Sequence, residues 1–289
     1  MKEYAYYPGC SLHSTGREYD VSLKSVCKLL DIEFREIKDW ICCGSTPAHN
    51  ISKIVSIALS VKNIELVKKM GAKEVVTPCV ACFSRFKAAI YDLQNEEGLK
   101  DKLKKIMPYS DDEIKVLHPL EIFSQDEILT KINNIKKKDL SGLKVVCYYG
   151  CLLTRPPKVT RFDECEYPQT MDKILGSVGI VTLDWSYKTD CCGASFSLTI
   201  PEIVIKLSAD ILNEARLVGA EAIAVACPLC HINLDGRQAD IKKAYHRDYE
   251  IPILYFTQLV GLSLGILSDK LLLDKHFVDT TRLLSVNKV

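Results

Sequence analysis

Ten of the thirteen cysteines form two sets with one internal order: Cys10, Cys42, Cys43, Cys79 and Cys82, then Cys151, Cys191, Cys192, Cys227 and Cys230. As spacings these read C-x31-C-C-x35-C-x-x-C and C-x39-C-C-x34-C-x-x-C. The flanks agree too, Tyr6-Tyr7-Pro8-Gly9-Cys10 with Tyr148-Tyr149-Gly150-Cys151, and Cys42-Cys43-Gly44 with Cys191-Cys192-Gly193. Such self-similarity marks an internal repeat, so the chain must build one cysteine-bearing unit twice. Outside the cysteines, Gly71-Ala72 and Gly219-Ala220 each begin eight residues ahead of their Cys-x-x-Cys, at a common offset of 148. Residues 116–120 and 253–257 both read as a short strand running into a helix. The boundary falls near residue 140, giving a first cysteine-rich domain over 1–140 and a second over 141–289.

Each repeat alternates short β-rich runs with helical patterns, which predicts an α/β fold: two tandem homologous domains with short, mainly parallel sheets. The expected strands are Tyr4–Tyr7, Phe34–Ile37, Glu74–Thr77 and Lys115–Leu117, then Lys144–Tyr149, Ile180–Asp184, Ala222–Ala226 and Ile253–Tyr255. Helical spacing links Ile51, Ile54, Val55, Ala58 and Val61, and again Leu207, Ile211, Leu212, Ala215 and Val218. The charged piece from Glu96 to Asp139 reads as surface helix and connector. Cys10, Cys79, Cys151 and Cys227 each follow a predicted strand directly, and both Cys-Cys-Gly motifs follow one after a few residues. Parallel sheets present their ligands beyond those carboxyl ends, so five sulfurs per domain can converge in one crevice. The Cys-x-x-Cys pairs open predicted helices, whose terminal amides and dipole favour thiolate.

Thirteen cysteines in 289 residues are too few for a small disulfide scaffold and many for a chain whose thiols stay reduced. The N-terminus has no signal-peptide pattern and no apolar run reaches membrane-spanning length, so the expected location is cytoplasmic. The charge balance of 38 Lys+Arg against 37 Asp+Glu argues against nucleic acid as a partner. The cysteines then serve a metal or redox chemistry. Soft thiolates suit iron–sulfur clusters, zinc or Cu(I). A tetrahedral zinc or a cubane cluster takes four cysteines and each set offers five; the fifth is either a bystander or a bridge between irons. Cys27 and Cys147 read as small core hydrophobes and Cys165 as a loop residue. His13 and His231 stand beside ligand cysteines, within reach of hydrogen bonds to sulfur, while His118 reads as structural.

The paired Cys-Cys-Gly motifs, the run Asp39-Trp40-Ile41-Cys42-Cys43-Gly44 and the run from Cys147 to Pro157 through Arg155-Pro156-Pro157 resemble the B-type subunits of the coenzyme B–coenzyme M heterodisulfide reductases of methanogenic archaea. The likeness covers nearly the whole chain. The cysteine pattern alone belongs to a broader CCG-domain family that includes iron–sulfur subunits of glycolate and lactate oxidation. The resemblance implies that each five-cysteine set binds a noncubane [4Fe-4S] cluster and that CoM-S-S-CoB is cleaved between the two; homolytic cleavage is the expected mechanism. Reducing a disulfide takes two electrons whereas clusters pass them singly, so duplication suits the task. The resemblance also implies two partners within the heterodisulfide reductase, one ferredoxin-like and one flavin-containing, with a hydrogenase or formate dehydrogenase upstream.

The substrate is anionic at both ends, and Arg155, Lys158 and Arg161 follow Cys151 closely, as Arg17 follows Cys10. Arginine forks match oxyanions, so these are the expected substrate-binding side chains. The chain has neither a ferredoxin cysteine run nor a dinucleotide fingerprint after a strand, so electrons must come from a partner protein. Leu259–Leu273 is a candidate docking face, with core packing the alternative. Two rival readings stay open: an electron-transfer subunit of a hydroxy-acid oxidising or quinone-linked complex, and a zinc-holding module, with zinc in one repeat as a mixed case.

Overall fold

The computed structural model describes residues 2–45, 48–281 and 283. Among the described residues, eight strands make two four-stranded sheets, and every pairing is parallel. The first sheet has the order β2-β1-β3-β4, from β1 (Lys2–Tyr6), β2 (Ile32–Glu36), β3 (Glu74–Val76) and β4 (Lys115–Leu117). The second repeats it as β6-β5-β7-β8, from β5 (Lys144–Tyr148), β6 (Val181–Thr182), β7 (Ala222–Val225) and β8 (Ile253–Tyr255). The predicted strands are therefore present in order, with Ile180–Asp184 reduced to a two-residue core that Leu183 extends by donating to the Val145 carbonyl at 2.8 Å. In each sheet the order reverses between the first and third strands, and a ligand crevice forms at such a switch point.

Hydrophobic burial explains why the two sheets do not drift apart. One buried core runs through both halves, from Tyr6, Val76 and Phe83 to Val146, Ala224 and Tyr255. The Phe256–Ser263 helix of the second half packs on the Arg17–Leu29 helix of the first. There Tyr19 stacks on Tyr255 with ring centroids 4.5 Å apart, and the Ser22 and Thr257 hydroxyls share a 2.6 Å hydrogen bond. Leu259, Val260, Leu262, Leu271 and Leu273 are buried in this packing, so most of the apolar side chains of the candidate docking face at Leu259–Leu273 are core, while Leu267 is 64% exposed. Residues 96–139 also contribute more than a surface connector: besides β4 they bury Leu99, Leu103, Leu120, Phe123, Ile128 and Ile132.

The buried stripe of the first repeat's long helix differs from the one its apolar spacing predicts. The helix runs Lys53–Lys69 and buries Ile57, Val61, Ile64 and Val67, while Ile51 precedes it and is 80% exposed. Its counterpart, Pro201–Leu217, buries Ile211, Leu212 and Ala215 as the spacing predicts. No described helix is long and apolar enough to cross a membrane.

Gly16 lies at a tight seam between the halves. A methyl group there would sit 2.7 Å from the Pro228 Cβ and 3.3 Å from the Ser11 carbonyl oxygen. Gly16→Ala is therefore expected to destabilise the protein by about 1–3 kcal/mol through overpacking. Gly176, near the end of a helix over Thr170–Ser177, has nothing within 4 Å of that methyl position. Gly176→Ala should stabilise by up to about 1 kcal/mol. Thermal unfolding of the two variants checks this, and a neutral Gly16→Ala would contradict the seam.

Candidate metal centre

Within each sheet the parallel strands carry cysteines at their carboxyl ends. Cys10 lies in the short Gly9–Leu12 helix just after β1, and Cys79 is the N-cap of the Val80–Asn95 helix just after β3. Cys151 and Cys227 hold the corresponding places after β5 and β7, Cys227 as the N-cap of Pro228–Gly236. In the first half the Cys43 and Cys82 sulfurs are 3.1 Å apart; in the second, Cys192 and Cys230 are 3.7 Å apart. The adjacent cysteines divide the same way in both copies. Cys42 and Cys191 are exposed, each accepting a hydrogen bond from the amide two residues on (Gly44 at 3.4 Å, Gly193 at 3.3 Å), while Cys43 and Cys192 are buried.

The two sets also meet each other. The Cys79 and Cys227 thiols, one from each half, interact across the seam, which raises Cys79 and lowers Cys227. Hydrogen bonds from Cys42 and then Cys82 pull the Cys43 thiol down to about 4, and that from Cys151 lowers Cys191 to about 6. Hydrogen bonds from Cys230 and Cys79 hold Cys227 well below the usual thiol range. Their partners go the other way: Cys42, Cys82, Cys151 and Cys230 are all raised, first by a neighbouring cysteine (Cys43, Cys43, Cys191 and Cys192 in turn) and then by burial. A few thiolates held among thiol donors form a soft anionic pocket, which suits thiophilic metal.

Glycine makes room for the sulfurs. Gly9 and Gly150, each directly before its cysteine, have φ of 67° and 71°, where side chains are strained. A Cβ at Gly9 would stand 3.1 Å from the Cys82 sulfur, and one at Gly150 would stand 3.0 Å from that of Cys230. Paired tyrosines hold the Cys-Cys loops. The Tyr7 hydroxyl donates to the Ile41 carbonyl at 2.8 Å and the Tyr148 hydroxyl to that of Asp190 at 2.6 Å, in each case the residue before the motif. Burial first, and then the neighbouring thiols, raise both phenols, so they remain donors.

Neither histidine beside a cysteine reaches sulfur. The His13 Nε2 pairs with Glu36 at 3.2 Å, and the His231 Nε2 meets the Ile253 carbonyl at 3.0 Å and His276 at 2.9 Å. Cys27 and Cys147 are fully buried and pushed up by desolvation, as core residues should be, and Cys165 lies beside Glu164 and Glu166 in a loop. Arg155 is engaged within the chain: it forks onto Glu166 and donates to the Thr189 hydroxyl at 2.9 Å, two residues before Cys191. The Lys158 ammonium lies over the Tyr91 ring, 5.6 Å from its centroid, while Arg161 and Arg17 are exposed. The sequence offered no sign of the buried Lys188–Asp172 ion pair at 2.9 Å, which with Tyr149 braces the loop leading to Cys191. Its members are scattered along the chain without a motif.

Two parallel sheets that gather duplicated five-cysteine sets define a duplicated α/β thiol-cluster protein. The chain belongs to the cysteine-rich CCG domain family, whose profile matches residues 4–87 and 145–235. It is 30% identical over 98% of its length, and 99% of the relative's, to the 8-methylmenaquinol:fumarate reductase membrane anchor subunit of Wolinella succinogenes. It is 26% identical over 99% of its length, and 97% of the relative's, to the B-type subunit of the ferredoxin/F(420)H(2)-dependent CoB-CoM heterodisulfide reductase of Methanosarcina acetivorans. A Helicobacter pylori protein, solved as a hypothetical protein, shares the fold with a TM-score of 0.76 at 14% identity; the match covers 96% of this chain and 52% of that one.

The repeats predict different thiol reactivity at equivalent places. In metal-free protein at pH 7, iodoacetamide should modify Cys191 at least about tenfold faster than Cys42, because both are exposed and only Cys191 is lowered. Peptide mass mapping over time reads the ratio, and equal rates would contradict the asymmetry.

Proposed function

We propose that the chain is an iron–sulfur redox subunit of a multisubunit oxidoreductase. In this reading Cys10, Cys42, Cys43, Cys79 and Cys82 hold one noncubane [4Fe-4S] cluster, and Cys151, Cys191, Cys192, Cys227 and Cys230 hold a second. The observation that carries the reading is the close approach of sulfurs within each set, Cys43 to Cys82 at 3.1 Å and Cys192 to Cys230 at 3.7 Å, with Cys79 and Cys227 interacting between the sets. The residues fit such groups: the donors are all sulfur, each set exceeds the four cysteines of zinc or a cubane, and a Cβ at Gly9 or Gly150 would crowd the pocket. Bound there, each cluster would exchange one electron at a time.

The chemistry that fits a pair of one-electron centres in one cleft is a two-electron reaction split between them. The substrate we assign is a mixed disulfide of the CoM-S-S-CoB type: two electrons from a partner protein and two protons from solvent convert it to two thiols, and the S–S bond is the only bond broken. The chain's own residues shape the cleft. Tyr7 and Tyr148 fix the Cys-Cys loops, and Arg155, braced by Glu166 and Thr189, sets the basic turn that brings Lys158 and Arg161 to the rim. Cys42 and Cys191 are exposed, and a ferredoxin-like or flavin-bearing partner would deliver electrons on that side.

A second reading is favoured by one observation, the 30% identity to a menaquinol:fumarate reductase subunit. In it the same ten cysteines would hold clusters able to take up the two electrons of a quinol one at a time.

Anaerobically purified protein should carry about eight iron and eight sulfide per chain, and Cys43→Ser or Cys192→Ser should each lower both by about half. Zinc in place of iron in either repeat would contradict the reading. Assaying the loaded complex with CoM-S-S-CoB and with a menaquinol analogue separates the two substrates. With the disulfide, Arg155→Ala should raise KM roughly tenfold without loss of iron; iron loss would make Arg155 a structural residue.

A further inference from the structure

We propose that His118 is the positioning residue that sets the separation of the two cysteine sets, by sharing one imidazole N–H between the chain turns that carry Cys79 and Cys227. The inference rests on reading those sets as a cluster pair, and adds the device that holds the pair in register.

The tautomer of the ring follows from its surroundings. His118 is the N-cap of the Pro119–Phe123 helix, and its Nδ1 accepts from the Leu120 amide at 3.3 Å. The ring proton is therefore on Nε2. That nitrogen lies 3.0 Å from the Pro78 carbonyl oxygen and 3.2 Å from that of Ala226. Pro78 directly precedes Cys79 and Ala226 directly precedes Cys227, positions 148 residues apart like the cysteines themselves. One donor thus bonds equivalent carbonyls of the two repeats, which places it between the halves at the turns that carry Cys79 and Cys227.

The ring is held in that place. Glu121 accepts from the His118 amide at 2.7 Å and closes a capping box. Phe83 of the first half and Phe162 of the second meet the imidazole edge-on at 5.9 and 6.2 Å. The ring is fully buried, and burial lowers its pKa to about 4, so it stays neutral with a single N–H at working pH. Its counterpart in the second repeat, Tyr255, keeps the N-cap role with Gln258 but stacks between Tyr19 and His231 instead. A bridge between two copies is needed once, and only the first copy supplies it.

The test compares His118→Phe, which fills the site without a donor, with His118→Gln, which restores an N–H. In the cluster-loaded complex, EPR of the half-reduced protein should show spin–spin splitting in wild type and His118→Gln. In His118→Phe the splitting should shift or collapse at unchanged iron content, with two-electron turnover down at least about tenfold and KM little changed. Unaltered splitting and turnover in an iron-replete His118→Phe would overturn the proposal. A second measurement needs no cluster. In metal-free protein, diamide, which takes up the two thiol hydrogens, should link Cys79 to Cys227 in wild type and His118→Gln, and at least about tenfold more slowly in His118→Phe. Equal rates in all three would overturn the proposal. Wild-type protein without iron would strike the cluster reading alone, leaving this second measurement to decide the role of His118.

Discussion

Gathering ionisable sulfur in a water-poor cleft is the constraint on which the rest of this structure depends. Neighbouring thiolates repel, and burial penalises each one, so such a pocket is stable only if protons or cations are shared among the sulfurs. The chain does this with alternation: Cys43, Cys191 and Cys227 are held towards thiolate by thiols that are themselves pushed up. Phenols that stay protonated brace the loops, and glycines keep carbon out of the sulfur space. The parallel sheets matter because they bring four strand ends of each repeat to one side, where short turns can deliver the five cysteines.

Duplication explains both the likeness and the differences of the two pockets. The copies keep the tyrosine brace, the glycine before the first cysteine and the division of each Cys-Cys pair into one exposed and one buried residue. They differ where the halves touch. His118 bridges and Tyr255 stacks, although both stand at the N-cap of equivalent helices. Cys151 serves Cys191, whereas in the first half it is Cys42 that serves Cys43.

Much of this was legible in the sequence because its carriers are periodic. The cysteine order, the Gly-Ala offset and the β-rich runs point to the two α/β repeats, the strand order along the chain and the convergence of the sulfurs at the strand ends. Single positions are harder to read. Ile51 and Val55 fit a helical stripe yet face outward, since the helix begins only at Lys53 and turns Ile57, Val61 and Ile64 inward. The apolar run at Leu259–Leu273 suits surface or core equally; that it covers the Arg17–Leu29 helix depends on contacts more than 200 residues apart. His118 reads as structural, and nothing local marks a ring that bonds carbonyls 40 and 108 residues away. Arg155 is legible as a basic residue near Cys151, while its fork onto Glu166 depends on how the 155–166 loop closes.

The most direct measurement is diffraction at the iron edge from crystals grown without oxygen. Two iron-rich anomalous peaks are expected, one beside each five-cysteine set, on either side of the Cys79 and Cys227 contact. A single peak, a signal at the zinc edge instead, or two peaks on opposite faces of the molecule would contradict a shared cleft.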